Sequence, residues 1–235
     1  MKNTALGVTF FLLMAVSAVS AFAQANSQAT APEATPATAL PAPPVAAVQP
    51  PLPIVDRAKE LKGFALVEAL RKGGFVLYMR HTETGLVTEK CETSNLSASG
   101  EAAASNVGAA LRELKISIGV VRSSQPCRAV DTARLLGLGA VEITEDLNPT
   151  PSREGVDIGA VRSRRLAEMP PTGTNAVLVS HLHGSRKKEE WLHLGMGEII
   201  VFRPDGKDGH EPVARIAVTD WIALKKLMAA DAVTR

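Results

Sequence analysis

Phe75-Val76-Leu77-Tyr78-Met79-Arg80-His81-Thr82 is an apolar run that stops abruptly on an arginine and a histidine. The run has the length of a strand buried on both faces. Arg-His has no use in the middle of such a strand. At its carboxyl end the pair is well placed, because an open α/β sheet holds its ligand just beyond the carboxyl ends of its strands. The expectation set by this stretch is that His81 is a nucleophile and that Arg80 holds an anion beside it.

Outward from this run, helix-like and strand-like segments alternate. Upstream, residues 57–71 place Ala58, Leu61, Phe64 and Leu70 at helical spacing, and Gly73-Gly74 stops the helix. Downstream, residues 82–95 are polar and turn-rich and read as a loop. Ser97 is positioned to cap a helix over about 98–114. Residues 119–122 read as a short strand ended by Ser123-Ser124. Pro126 falls where the first turn of the next helix begins, and that helix runs to about Leu136. A third strand is expected over 141–144 and a helix over 159–168, stopped by Pro170-Pro171. Residues 176–180 form a buried strand that ends at His181. Residues 199–202 and 214–218 read as an antiparallel pair around Pro204-Asp205-Gly206, followed by a helix over about 220–230. This order predicts an α/β fold, a three-layer α/β/α sandwich with a mostly parallel central sheet.

Parallel strands place their carboxyl ends on one rim. Arg80 and His81, then Arg128 just beyond Ser123-Ser124, and finally His181 should therefore converge. Two guanidiniums offer planar forks for phosphate oxygens, and Arg128 near a helix start adds free N–H groups. Two imidazoles can act as nucleophile and electrostatic partner. The chemistry that fits is attack of His81 on phosphorus to give a phosphohistidine, with Arg80, Arg128 and His181 neutralising the phosphoryl oxygens. Water then hydrolyses the intermediate, and a carboxylic acid protonates the leaving oxygen. This arrangement requires no metal and no cofactor.

Four segments, MRHTETG (79–85), SSQPCRAVDTARLLG (123–137), VLVSHLHG (177–184) and GEIIVFRPDG (197–206), resemble the histidine phosphatase superfamily, the phosphoglycerate mutase-like fold. The likeness covers about 66–221. It is similar in particular to an exported branch that includes lipopolysaccharide core heptose phosphate phosphatases. The resemblance implies that His81 accepts the phosphoryl group and that Arg80, Arg128 and His181 complete the pocket. Thr82 stands where the family usually has glycine, and its hydroxyl is a candidate phosphate ligand. Related exported proteins carry a Gln-Arg pair in the segment corresponding to 91–97, and this chain has none. Glu145 resembles the family's acid in position, with Asp146, Glu83 and Glu154 as alternatives. His183 is a candidate for the phosphate-pocket rim, against an inert loop residue or a His-x-His metal ligand. His193 and His210 are read as surface histidines without a role, and residues 186–190 as a solvated helix face.

The remaining chain sets compartment and partners. Residues 1–23 join Lys2, an apolar stretch and Ala21-Phe22-Ala23, the pattern of a cleavable signal peptide. Residues 24–53 are rich in Ala and Pro with one charge, Glu33, and read as a disordered linker. Residues 54–235 are the catalytic domain, expected in a periplasm or outside the cell, with no transmembrane anchor once the signal is removed. A formal charge of +2 and a single tyrosine argue against nucleic-acid binding. In an oxidising compartment Cys91 and Cys127 read as a disulfide closing a loop of about 37 residues, worth about 4 kcal/mol, against two free buried thiols. The expected partner is a small phosphorylated substrate, with phosphosugar or lipopolysaccharide groups suggested by branch and compartment. The alternative is a phosphate or phosphosugar binder of the same fold that has lost turnover. A mutase and a metal protein built on His181, His183 and His193 are weaker readings.

Overall fold

The computed structural model describes residues 60–88, 91–181 and 194–234. These fall in one compact unit, Gln49–Arg235. The segments expected as signal and linker lie outside the described residues.

The opening run forms β1 (Val76–Arg80). Its side chains alternate between two apolar clusters: Leu77 and Met79 enter one, Val76 and Tyr78 the other. All four are buried, as a strand covered on both faces requires. The other strands of its sheet are β4 (Ile118–Ser123), β5 (Val141–Ile143), β6 (Asn175–Ser180), β7 (Ile199–Pro204) and β8 (His210–Ile216), in the order β5-β4-β6-β1-β7-β8. The pairs β4–β5, β4–β6 and β1–β6 are parallel, while β7 runs antiparallel to both β1 and β8. The sheet is mostly parallel, as the alternation predicts.

Helices cover both faces. On one side α1 (Gly63–Lys72), α2 (Ala98–Glu113), α3 (Cys127–Leu135) and α5 (Asp220–Thr234) bring Leu70, Leu111, Ala129 and Trp221 onto Leu77 and Met79. On the other, Leu166 of α4 (Ile158–Ala167) and Leu147 of a 3₁₀ turn at Glu145–Leu147 pack with Tyr78 and Leu178. Each fully buried side chain of this size contributes about 1.5–3 kcal/mol. Trp221 therefore belongs to the core.

Local chemistry sets the boundaries. Ser97 Oγ accepts from Gly100 N at 3.1 Å and starts α2. Asp157 Oδ1 accepts from Gly159 N and Ala160 N and starts α4. Pro126 is the N-cap of α3 rather than a residue of its first turn; its carbonyl accepts from Ala129 N and Val130 N.

Four expectations are corrected. The first helix begins at Gly63, not near 57, because Leu61 N is spent on Val213 O at 2.7 Å in β8. The stretch read as a loop over 82–95 holds a hairpin, β2 (Thr84–Thr88) and β3 (Cys91–Leu96), in a two-stranded sheet of its own. Its register shifts twice, and its residues lack the clean apolar alternation that marks a half-buried strand. The closing strand starts at His210, upstream of the expected 214. Pro212 argues against a central strand, but β8 is an edge strand and can hold it. His210 is half-buried against Phe202, with ring centroids 5.4 Å apart, rather than a surface histidine.

Helices α2 and α3 meet at a close backbone approach. A Cβ on Gly108 of α2 would lie 1.8 Å from Leu136 O at the end of α3. Gly108→Ala should therefore separate these helices and lower stability by about 1–3 kcal/mol, read as a lower urea midpoint with an unchanged m value.

Candidate active site

The register brings three strand ends within one residue of level. Arg80 pairs with Ser180 and Ser123 with Val179, so His81 and His181 step off the sheet together and Ser124 leaves it one residue earlier. His81 N donates to Ser180 O at 2.9 Å, and Ser124 N donates to Val179 O at 3.0 Å. From Ser124 the chain turns at Pro126 into α3, whose first turn carries Arg128.

Arg128 lies between the two imidazoles. Its Nε donates to His81 Nε2 at 3.2 Å, and its Nη2 stands 3.1 Å from His181 Nδ1. The rings are 5.2 Å apart, centroid to centroid, and tilted by 58°. A guanidinium only donates, so it reads the lone pairs of both rings. That fixes the tautomers. His81 carries its proton on Nδ1 and donates to Thr82 O at 2.9 Å, leaving Nε2 as the free base. His181 carries its proton on Nε2 and donates to Ser124 Oγ at 2.7 Å. His81, His181 and Ser124 are all buried.

The electrostatics favour an incoming anion. Burial, opposed by the Thr82 hydrogen bond and aided by the Arg128 and Arg80 charges, lowers the His81 pKa from 6.5 to about 4. Burial lowers the pKa of Arg128, and burial with the Arg128 charge lowers that of Arg80. Arg80 Nη1 donates to Leu194 O at 2.8 Å, while its buried Nε has no partner among the described residues. A buried donor left unmade costs about 1–3 kcal/mol, which an anionic oxygen would relieve. The set is therefore a neutral nucleophile beside two desolvated cations, suited to a phosphoryl group.

Residues 76–150 match the family model described as the histidine phosphatase superfamily, branch 1. No curated protein matches the chain. Similar solved structures include the protein histidine phosphatase SixA complexed with tungstate (16% identity, 62% of this chain and 98% of that one, TM-score 0.48). Others are a putative phosphohistidine phosphatase SixA from Nakamurella multipartitia (18%, 61% and 95%, 0.46) and a putative alpha-ribazole-5'-P phosphatase from Escherichia coli (18%, 62% and 98%, 0.45). The fold stands on the sheet order and register given above, not on these likenesses.

Arg80, His81, Arg128 and His181 are brought together. Thr82 is fully buried, and its hydroxyl lies 3.2 Å from Thr132 Oγ1. His183 and His193 lie outside the described residues, as do residues 186–190. The carboxylates sit elsewhere. Glu145 opens the 3₁₀ turn, half exposed and 4.0 Å from Arg153, and lines a cleft with Asp146, Ser152, Arg153, Val156, Ile158 and Val161. Asp146 is held by Arg165 at 2.5 Å. Glu83 is exposed and accepts from Ser97 Oγ at 3.1 Å. Glu154 is exposed. Glu145 has no hydrogen bond or ion pair to the phosphate-gripping set. Glu198 accepts from Gly195 N and pairs with Arg215 at 2.7 Å.

Sequence reasoning placed Ser123-Ser124 on the rim without a task for Ser124, and it missed Thr132. Position after a strand was the only signal for the first. The second sits four residues beyond Arg128 on the same helix and carried no signal of its own. Two consequences follow from the buried, neutral His81. In NMR spectra one imidazole should titrate near pH 4 and disappear in His81→Ala. Between about pH 4 and 6.5 the unfolded chain binds the proton that the folded one refuses, so stability should fall as pH drops through that window, less steeply in the variant.

Proposed function

We propose that this chain is an exported phosphomonoesterase that works through phospho-His81 without a metal. The observation that carries the reading is Arg128 fixed across His81 Nε2 and His181 Nδ1, which leaves an unprotonated nucleophile against a cationic fork. The superfamily match over 76–150 supports the same reaction class. The phosphoryl oxygens replace the imidazole lone pairs as acceptors for Arg128 and take the buried Nε of Arg80. Nε2 attacks phosphorus, the bond to the leaving oxygen breaks, and Glu145 gives that oxygen its proton. Positive charge on the phosphorylated ring is relieved through Nδ1–H and the Thr82 carbonyl. Glu145, now a carboxylate, takes a proton from water as it attacks phosphorus. The P–N bond breaks, phosphate leaves, and Nε2 regains its lone pair. The two guanidiniums supply the positive charge that a metal supplies in other phosphoryl-transfer sites.

Export rests on the signal-like pattern of residues 1–23, and an extracytoplasmic site favours phosphosugar or lipopolysaccharide phosphate as substrate. A Cys91–Cys127 bridge suits that compartment. β3 begins at Cys91 and packs against α3, which begins at Cys127. Thiol counting on the denatured protein before and after dithiothreitol should find no thiol first and two afterwards.

The deciding assay is phosphate release from an aryl phosphate, sugar phosphates and a phosphohistidine peptide in the presence of EDTA. The proposal expects turnover in EDTA and a loss of about 10³-fold or more in His81→Ala. Glu145→Gln should slow the sugar phosphates by about 10²-fold and spare the phosphohistidine peptide, whose leaving group needs no strong acid. Retained activity in His81→Ala sinks the nucleophile. Phosphate binding with no turnover on any substrate supports the binder without turnover instead.

A further inference from the structure

A run of buried hydrogen bonds connects His81 to α3, and its direction is fixed by chemistry. Thr132 Oγ1 lies 2.7 Å from Arg128 O, a carbonyl, so the Thr132 hydroxyl donates there. With that proton committed, Thr132 Oγ1 can only accept. It takes the Thr82 backbone N–H at 3.1 Å and the Thr82 hydroxyl at 3.2 Å. The Thr82 carbonyl in turn accepts from His81 Nδ1 at 2.9 Å. Both threonines are fully buried, so no solvent competes for these groups.

The other side of Thr82 is equally constrained. Gly197 N–H donates to both Arg80 O and His81 O at 3.1 Å. A Cβ on Gly197 would stand 2.6 Å from Val218 Cγ2 and 3.2 Å from Thr82 Cγ2, so both side chains close on the space that the missing side chain leaves. Thr82 itself does not have positive φ; among non-glycine residues described, only Lys115 does. The backbone after the nucleophile therefore does not require glycine here, and the side chain is free to supply a second donor. A helical threonine that bonds its own i−4 carbonyl is common and by itself means little. What distinguishes Thr132 is that its remaining lone pairs both receive Thr82.

We infer that Thr132, acting through Thr82, is a positioning residue that holds the His81 ring in its Nδ1–H tautomer and registers Nε2 against Arg128. Its catalytic meaning rests on the phospho-His81 reading. Thr132 fixes two things at once: residue Thr82, by its N–H and hydroxyl, whose carbonyl orients His81, and the carbonyl of Arg128. The pair does locally what a tighter glycine turn would leave to the backbone.

Three variants test this: Thr132→Val, which keeps shape and loses the hydroxyl, Thr132→Ser, which keeps the hydroxyl, and Thr82→Val. Measured are kcat/KM on an aryl phosphate, the dissociation constant of inorganic phosphate, and the His81 tautomer by long-range imidazole NMR. In Thr132→Val, kcat/KM should fall about tenfold or more, as expected for unpairing buried donors. Phosphate should bind several-fold more weakly, and the Nδ1–H signature should become mixed. Thr132→Ser should keep the tautomer and stay within about threefold of the parent protein. Thr82→Val should fall between them, and its effect should not add to that of Thr132→Val. If the parent protein binds phosphate but turns nothing over, the phosphatase reading fails while phosphate affinity and tautomer still decide this one. A folded Thr132→Val that keeps both the Nδ1–H tautomer and the parent phosphate affinity overturns the inference. Should Thr132→Val fail to fold, Thr132→Cys, a weak hydrogen-bonding group of similar size, stands in with the same two outcomes.

Discussion

Two guanidiniums and two imidazoles packed at the end of a buried sheet repel one another whenever all are charged. The protein resolves this by keeping both imidazoles neutral and placing the Arg128 fork on their lone pairs. Burial and the neighbouring cations press His81 toward its neutral form. The same desolvation that keeps His81 neutral makes the arginines costly, and Arg80 still holds a buried donor without a partner among the described residues. A site in this state has an unmet need for negative charge. Everything around it, from strand register to helix start, keeps four side chains within reach of one such charge.

That register is a property of the whole sheet. Because β4, β6 and β1 are parallel neighbours, their carboxyl ends present Ser124, His181 and His81 along one edge. Apolar clusters on both faces hold the strands in place, so a slip of one strand would turn its buried residues to the wrong layer. Asn148 adds a clasp from outside the sheet. Its Oδ1 accepts from Gln125 N and its Nδ2 donates to Gln125 Oε1, which pins the turn between Ser124 and α3. Core packing and phosphate grip are thus the same construction seen at two depths.

The central strands were legible because their apolar runs end in residues a core cannot use. Val76 to Met79 and Ala176 to Val179 declare themselves by hydrophobicity, and Arg80, His81 and His181 by their position after it. The β2–β3 hairpin was not legible. Its irregular pairing and its Thr and Ser residues leave no alternation to read. Thr132 was invisible for a different reason. Threonine at the i+4 position of an arginine on a helix is ordinary in one dimension, and its two contacts to Thr82 cross 50 residues of chain. Hydrogen-bond partners that are distant in sequence leave no periodicity. The carboxylates fall between these cases: Glu145 and Asp146 look alike in sequence, and only the Arg165 ion pair separates them.

That ion pair bears on how substrate choice is built. Arg165 holds Asp146 and Glu168, and Arg122 joins Glu168 to Glu142. One of the two adjacent carboxylates is thereby committed to fastening the segment after β5 onto α4 and the sheet edge. Glu145, its neighbour, keeps only a long contact to Arg153 and stays half exposed beside Val156, Ile158 and Val161. The phosphate grip comes from strand ends that cannot shift without disturbing the core. The proposed acid comes from a 3₁₀ turn whose Leu147 is anchored in the core while Glu145 stays half exposed. The proposed nucleophile is therefore the constrained half of the site, and the proposed acid the adjustable half.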